Sequence, residues 1–178
     1  LAVTFSGGEP FLRAGLMFKL AKKLKKQGIE VHINTNGLLI DKKNAKFLKK
    51  YDIDKVNINL DSFREQDFIR GGNNLIQRLS SVLDDLKNNY YSERVSISCV
   101  INKLNYKEIV EIADFVKTNK FKELHFLDMI PCKPSDKKFL LTKQDWLKFF
   151  KLCNTVKDMK IQIRPNHALL FLNEFENE

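Results

Sequence analysis

The sequence predicts one α/β domain built on parallel strands, and three observations predict it. Six short runs rich in β-branched residues recur along the 178 residues; stretches with helical periodicity separate them; and the two kinds of segment alternate strictly. Such alternation implies parallel strands joined by right-handed crossovers, which leaves an open doubly wound sheet or a (β/α) barrel. With 43% hydrophobic residues the chain is long enough to bury one core, and no linker, repeat or low-complexity segment divides it.

The strand runs are Val3 to Phe5, Val31 to Asn34, Val56 to Leu60, Val95 to Ile101, Leu124 to Met129 and Ile161 to Ile163. A first helix is expected from Phe11 to Gln27, stopped by Gly28, and a second from Lys42 to Lys50. Leu75, Ile76, Leu79, Val82, Leu83 and Leu86 form the clearest helical stripe. Two more helices follow, Tyr106 to Thr118 and Thr142 to Val156, the latter with Thr142 as N-cap. Gly71 to Asn74 and Pro131 to Asp136 read as loops at the C-terminal end of the strands, the end where α/β sites are built.

Composition narrows the function classes. The net charge of +9 invites a nucleic-acid reading. The lysines, however, cluster as in Lys19, Lys22, Lys23, Lys25 and Lys26, where a solvated helix face is the ordinary explanation, so no nucleic-acid partner is expected. No apolar run reaches the ~18 residues of a membrane span and no basic-then-apolar leader occurs, which predicts a cytoplasmic protein without a membrane partner. Cys99, Cys132 and Cys153 lack the close spacings of a metal-ligand set. His32 and His125 alternate within strands and are expected to be structural, while His167 carries no assignment. The chain opens on the apolar run Leu1-Ala2-Val3-Thr4-Phe5, which reads as a cut inside a longer protein.

The polar residues at the strand ends carry the chemistry. The first strand runs into Ser6-Gly7-Gly8-Glu9-Pro10, a turn whose carbonyls and carboxylate suit an ammonium group, with glycines that let backbone approach a ligand and a proline at the helix start. The second ends in Thr35-Asn36-Gly37, which is also an ordinary turn signal. After the third come Asn59-Leu60-Asp61-Ser62 and Phe68-Ile69-Arg70-Gly71. Asn59 can donate and accept, Arg70 offers a fork for a carboxylate, and Asp61 is either a turn cap or a ligand. Asn102 ends the fourth strand, with Asn105 expected to cap the next helix. Leu127 and Met129 at the fifth are either core packing or an apolar contact for a ligand.

Taken in order, these elements resemble the radical S-adenosylmethionine (SAM) superfamily, above all its peptide-modifying and molybdopterin-pathway branches. Ser6 to Pro10 contains that family's Gly-Gly-Glu-Pro motif, Thr35 to Gly37 its Thr-Asn-Gly strand end, and Asn59 to Gly71 its Ser-Leu-Asp-Gly and Phe-x-x-Ile-Arg-Gly patterns, with Asn59 in place of Ser and Ser62 in place of Gly. The resemblance covers Leu1 to about Pro131, and its units of roughly 25 to 40 residues suit a TIM-like repeat. It implies a partial (β/α)6 barrel that lacks the first strand and the cluster loop, incomplete at both ends. By the same resemblance the SAM site has Gly7, Gly8 and Glu9 at the ammonium, Arg70 at the carboxylate, Asn59 at the ribose or carboxylate, and Leu127 and Met129 toward the adenine, with Asn102 near SAM and Pro10, Thr35, Asn36 and Asp61 also among its residues.

The implied cofactors are SAM and a [4Fe-4S] cluster, whose Cys-x-x-x-Cys-x-x-Cys ligands are expected upstream of Leu1, so that this chain holds no metal ligand. The implied reaction generates a 5′-deoxyadenosyl radical that abstracts hydrogen, from a peptide or protein if the branch resemblance holds, with flavodoxin or ferredoxin as reductant. By itself the chain is expected to be inactive. The alternative is a noncatalytic SAM-binding or interaction scaffold.

Overall fold

The fold is drawn from a computed structural model that describes residues 1–156 and 161–164. Its strands are β1 (Ala2–Phe5), β2 (Glu30–Thr35), β3 (Lys55–Asn59), β4 (Val95–Ile101), β5 (Glu123–Asp128) and β6 (Ile161–Arg164). They form one parallel six-stranded sheet in the order β1-β2-β3-β4-β5-β6. Strand order never reverses, so right-handed crossovers place every helix on the same face and leave no switch point. Among the described residues β1 and β6 are the edges of the sheet, which does not close.

The two faces of the sheet differ chemically. On one lie Val31, Ile33, Val56, Ile58, Val95, Ile97, Leu124 and Phe126, all buried, and the helices α1 (Ala14–Lys26), α2 (Lys42–Lys50), α4 (Leu75–Asn89), α5 (Ile109–Thr118) and α6 (Lys143–Thr155) pack their apolar stripes against them. Each such aliphatic side chain contributes about 1.5–3 kcal/mol when buried. On the other face the same strands present His32, Asn34, Lys55, Asn57, Ser98 and His125. A doubly wound sheet is covered by helices on both faces and reads as continuous apolar runs. This polar second face therefore selects the barrel-like alternative, with the polar residues on its concave interior.

Most elements lie where the sequence places them. Gly28, at φ +71°, follows the end of α1, and Thr142 caps α6 in a reciprocal box with Asp145, accepting from its N–H at 3.2 Å while Asp145 accepts from the Thr142 N–H at 3.0 Å. Two boundaries are corrected. Pro10–Arg13 forms a 3-10 turn and α1 proper starts at Ala14, because the Glu9 carboxylate caps that turn. α5 starts at Ile109 rather than Tyr106, because Asn105 and Glu108 direct their side chains to the β3 loop. A short helix α3 (Gln66–Arg70), ended by Gly71 at φ +65°, occupies a stretch with no predicted helix. Lys19, Lys22, Lys23 and Lys26 are exposed as expected, whereas Lys25 pairs with Asp54 at 2.8 Å and Asp52 at 3.2 Å. No helix among the described residues is long and apolar enough to cross a membrane.

Candidate functional site

The candidate residues ring the C-terminal ends of the strands, held there by a relay of side chain to backbone bonds. After β1, Gly7 and Gly8 take φ +89° and +51°, conformations that L side chains rarely adopt, and open space lies where their Cβ atoms would stand. Pro10 begins the 3-10 turn. Glu9 fastens this turn to β2: its carboxylate accepts from Phe11 N at 3.1 Å, Thr35 Oγ1 at 2.7 Å and Asn36 N at 2.9 Å. A carboxylate has about four lone-pair sites, so one remains unused among the described residues. Thr35 Oγ1 also accepts from Gly37 N at 2.9 Å, and Asn36 Oδ1 from Leu38 N at 2.9 Å.

Asn36, Asn59 at the end of β3, and Arg70 at the end of α3 share a cavity of about 430 Å3 with Gly71 and Gly72. Arg70 also borders a second cavity of about 610 Å3, lined with Asp61, Asn102, Leu127, Met129 and Cys132. The Arg70 guanidinium, a third exposed, bonds through Nε to the fully buried Asp61, whose other oxygen accepts from Val100 N at 2.7 Å. Asp61 thus binds protein groups with both oxygens and holds Arg70 by Nε, so the terminal nitrogens of the fork are left out of this bond in a side chain that borders both cavities. Asn102 is buried and local in its bonding, accepting from Leu104 N at 2.8 Å and donating to Val100 O at 3.3 Å.

Four residues that support this rim escape a reading of sequence alone. Asn105, expected as a helix cap, is fully buried and donates to Asp61 O at 2.9 Å and Val100 O at 2.8 Å, tying the ends of β3 and β4 together. Gln66 accepts from Asp61 N at 2.9 Å and Ser62 N at 3.1 Å. Glu108 accepts from Ser62 Oγ at 2.8 Å and Phe63 N at 2.8 Å. Ser62, which departs from the glycine of the resembled motif, is the donor that Glu108 requires. A buried carboxylate and a buried amide need partners, and here each finds them in the loop after β3.

The three cysteines lie on separate elements. Cys99 is buried in β4, where desolvation and the Asp61 charge push its thiol pKa well up; burial raises that of Cys153 to about 12; Cys132 is exposed at the second cavity. Among the described residues no group of His, Cys, Asp or Glu is arranged to hold a metal ion. These residues do not fit an iron-sulfur cluster. They do fit SAM: glycines with open space above them, a carboxylate with a lone-pair site to spare, and an arginine fork anchored at one edge suit an amino acid's ammonium and carboxylate. His32 and His125 both face the interior; His167 lies outside the described residues.

The profile of the Radical SAM superfamily matches residues 2–116. The chain belongs to this superfamily. Among curated relatives it is 32% identical over 129 residues, 72% of the chain, to the Fe-coproporphyrin III synthase of Methanosarcina barkeri. It is 28% identical over 171 residues, 92% of the chain, to the GTP 3′,8-cyclase of Limosilactobacillus fermentum. The chain spans 32% and 48% of the length of these two relatives. In fold it matches native anSMEcpe with bound AdoMet and Cp18Cys peptide, with a TM-score of 0.72 at 21% identity over 92% of this chain and 50% of that one. The superfamily's barrel is thus the architecture seen here, and the superfamily implies SAM and an iron-sulfur cluster as cofactors.

Proposed function

We propose that this chain is the SAM-binding part of a radical SAM enzyme that abstracts hydrogen from its substrate. The observation that carries this reading is the continuity of the site: Glu9 bonds to Asn36, Asn36 and Arg70 share one cavity, and Arg70 opens on the next toward Leu127 and Met129. Along that path the methionine ammonium meets the carbonyls of the Gly7-Gly8 turn and the remaining lone-pair site of Glu9. Its carboxylate meets the terminal nitrogens of Arg70, the ribose meets Asn59, and the adenine packs toward Leu127 and Met129 beside Asn102. Asp61 acts through Arg70.

The cluster ligands belong to residues other than those described. Their carrier is a further βα unit added at β1, whose outer edge is unpaired among the described residues and near which Leu16 and Leu20 of α1 are exposed at 59% and 41%. When bound, the cluster supplies the electron that cleaves SAM, received in turn from a flavodoxin- or ferredoxin-like donor; the chain's own residues bind and orient SAM. A peptide or protein substrate is favoured by the fold's likeness to an enzyme solved with a peptide. The test is anaerobic reconstitution of the full-length protein with iron and sulfide, followed by assay for 5′-deoxyadenosine under reductant. Formation supports the enzyme; SAM binding with no cleavage turns the reading to the noncatalytic scaffold. The 178-residue chain treated in the same way is expected to yield none.

A further inference from the structure

Charge is unevenly placed in this chain. The net charge is +9, yet α1 and α2 alone carry ten lysines and no Asp or Glu, so the residues outside these two helices sum to −1. A merely solvated surface mixes signs: α4 sets Arg78 and Lys87 against Asp84 and Asp85, and α5 sets Lys117 against Glu111 and Asp114. We propose that the outer face of α1 and α2 is a docking surface for a protein with a carboxylate-rich patch, and that this partner is the electron donor. The donor role rests on the reading of this chain as part of a radical SAM enzyme; the acidic partner rests on charge and shape alone.

The lysines share one direction. At 3.6 residues per turn, Lys19, Lys22, Lys23 and Lys26 span about 100° of α1, between the Phe18 flank and the Leu16-Leu20 flank and opposite the buried Met17 and Ala21. Lys42, Lys43, Lys46, Lys49 and Lys50 span about 120° of α2, away from the buried Ala45 and Leu48. All nine are exposed. Among the described residues Lys25 alone of the ten meets carboxylates, those of Asp54 at 2.8 Å and Asp52 at 3.2 Å. Like charges three and four residues apart, as Lys19 with Lys22 and Lys23, weaken a helix. Carboxylates brought by a partner would relieve that repulsion.

Shape adds an anchor point. The face holds a cavity of about 490 Å3, with apolar lining from the buried Phe18 and the half-buried Phe47 and Tyr51 and cations from Lys19, Lys22 and Lys43. Asp41 at its border caps α2, accepting from Asn44 N at 2.7 Å. α1 leaves β1 through the Glu9 turn and α2 leaves β2 through Thr35 and Asn36, so the helix starts stand at the end of the barrel that carries the candidate SAM site. Two features favour a protein over a nucleic acid. Neither helix has an arginine, whose planar fork reads phosphate, whereas a lysine charge on a flexible stem suits steering and quick release. The aromatic rings also occupy one another, Phe18 stacked on Tyr51 at 5.4 Å and Phe47 edge-on to both, which leaves no free platform for a base.

The test uses the full-length holoenzyme, kept anaerobic, with 5′-deoxyadenosine formation driven either by a reduced acidic flavodoxin or by dithionite, a small reductant that needs no docking surface. Lys19→Glu combined with Lys43→Glu should raise the KM for flavodoxin at least about tenfold and leave the dithionite-driven rate unchanged. The same charge change on α6, Lys148→Glu with Lys151→Glu, should leave both near wild type. Rising salt should weaken the flavodoxin-driven reaction of the wild type and spare the dithionite-driven one. An unchanged KM in the first variant, or an equal loss in the second, overturns the proposal. Calorimetric titration of oxidised flavodoxin at low salt reads docking apart from turnover, and unchanged binding by the first variant overturns the surface. Binding that this variant loses, with no 5′-deoxyadenosine from either reductant in the wild type, would leave the surface standing and sink the donor role with the radical SAM reading. A tRNA bound more tightly than flavodoxin, and lost in the same variant, would overturn the protein partner in favour of a nucleic acid.

Discussion

Asp61 and Arg70 show how one residue's role depends on another that spacing alone does not reveal. Asp61 is fully buried, and Arg70 answers its charge from nine residues away. Removing one partner of such a pair leaves the other uncompensated. Arg70→Met should therefore cost about 3 kcal/mol or more in urea unfolding, and Asp61→Asn combined with it should recover part of that loss. Equal stability of the single and double variants would refute the coupling. Glu123 gives a pH signature. Burial raises its pKa, but the bonds from Lys55 and His125 outweigh burial and hold the carboxyl at about 2 against 4.5 ordinarily, so ionisation stabilises the fold above the unfolded value, and that contribution fades as pH falls from 4.5 toward 2. The stability difference between wild type and Glu123→Gln should shrink across this window; a flat difference would exclude the assigned pairing. The sequence marks Arg70, Asn59 and Glu9 as site residues because their chemistry is distinctive at strand ends. It does not mark Asn105, Gln66 or Glu108, whose roles exist only once the loops after β3 and β4 meet.

At the scale of elements, turns carry the precision of the site. Gly37 follows the Thr35-Asn36 pair at φ +83°, and a Cβ there would stand 3.0 Å from Leu79 Cδ1 and 3.3 Å from Ile58 Cγ2. Gly37→Ala should lose about 1–2 kcal/mol from backbone strain alone, with more from the contact, and should weaken SAM binding by displacing Asn36. Calorimetric unfolding and SAM titration on the same variant would separate the two effects. Thr142→Ala, far from the site, should cost about 1 kcal/mol through loss of the α6 cap and leave SAM affinity unchanged. α4 was legible from its apolar stripe and α6 from its Thr142 cap, and both stand in the structure. α5 was misplaced by three residues because Asn105 has the identity of a cap and another use. Between barrel and doubly wound sheet the motif resemblance favoured the barrel. A further signal lay unused in the strands: Val31-His32-Ile33-Asn34 and Val56-Asn57-Ile58-Asn59 alternate strictly, which a sheet buried on both faces does not do.

For the molecule as a whole, the open sheet poses a packing problem at β1. Among the described residues its outer edge is an unpaired row of backbone groups, a template for another strand. Leu16 and Leu20 lie four residues apart in α1, and at the pitch of a helix they centre about 180° from Phe18, which packs toward α2 through Phe47 and Tyr51. The apolar flank thus faces away from α2, on the side of the free edge. A parallel strand at β1 with its helix laid over these leucines would satisfy both surfaces at once, and burying each would add about 1.5–3 kcal/mol. Leu16→Lys distinguishes this packing from a solvated flank. In the 178-residue chain, where Leu16 is 59% exposed, the lysine should leave unfolding within about 0.5 kcal/mol of wild type. In the full-length protein it should cost several times more and reduce the iron retained after reconstitution, since the unit proposed to carry the cluster would lose its seat. Equal small effects in both contexts would place the cluster-bearing unit elsewhere on the sheet.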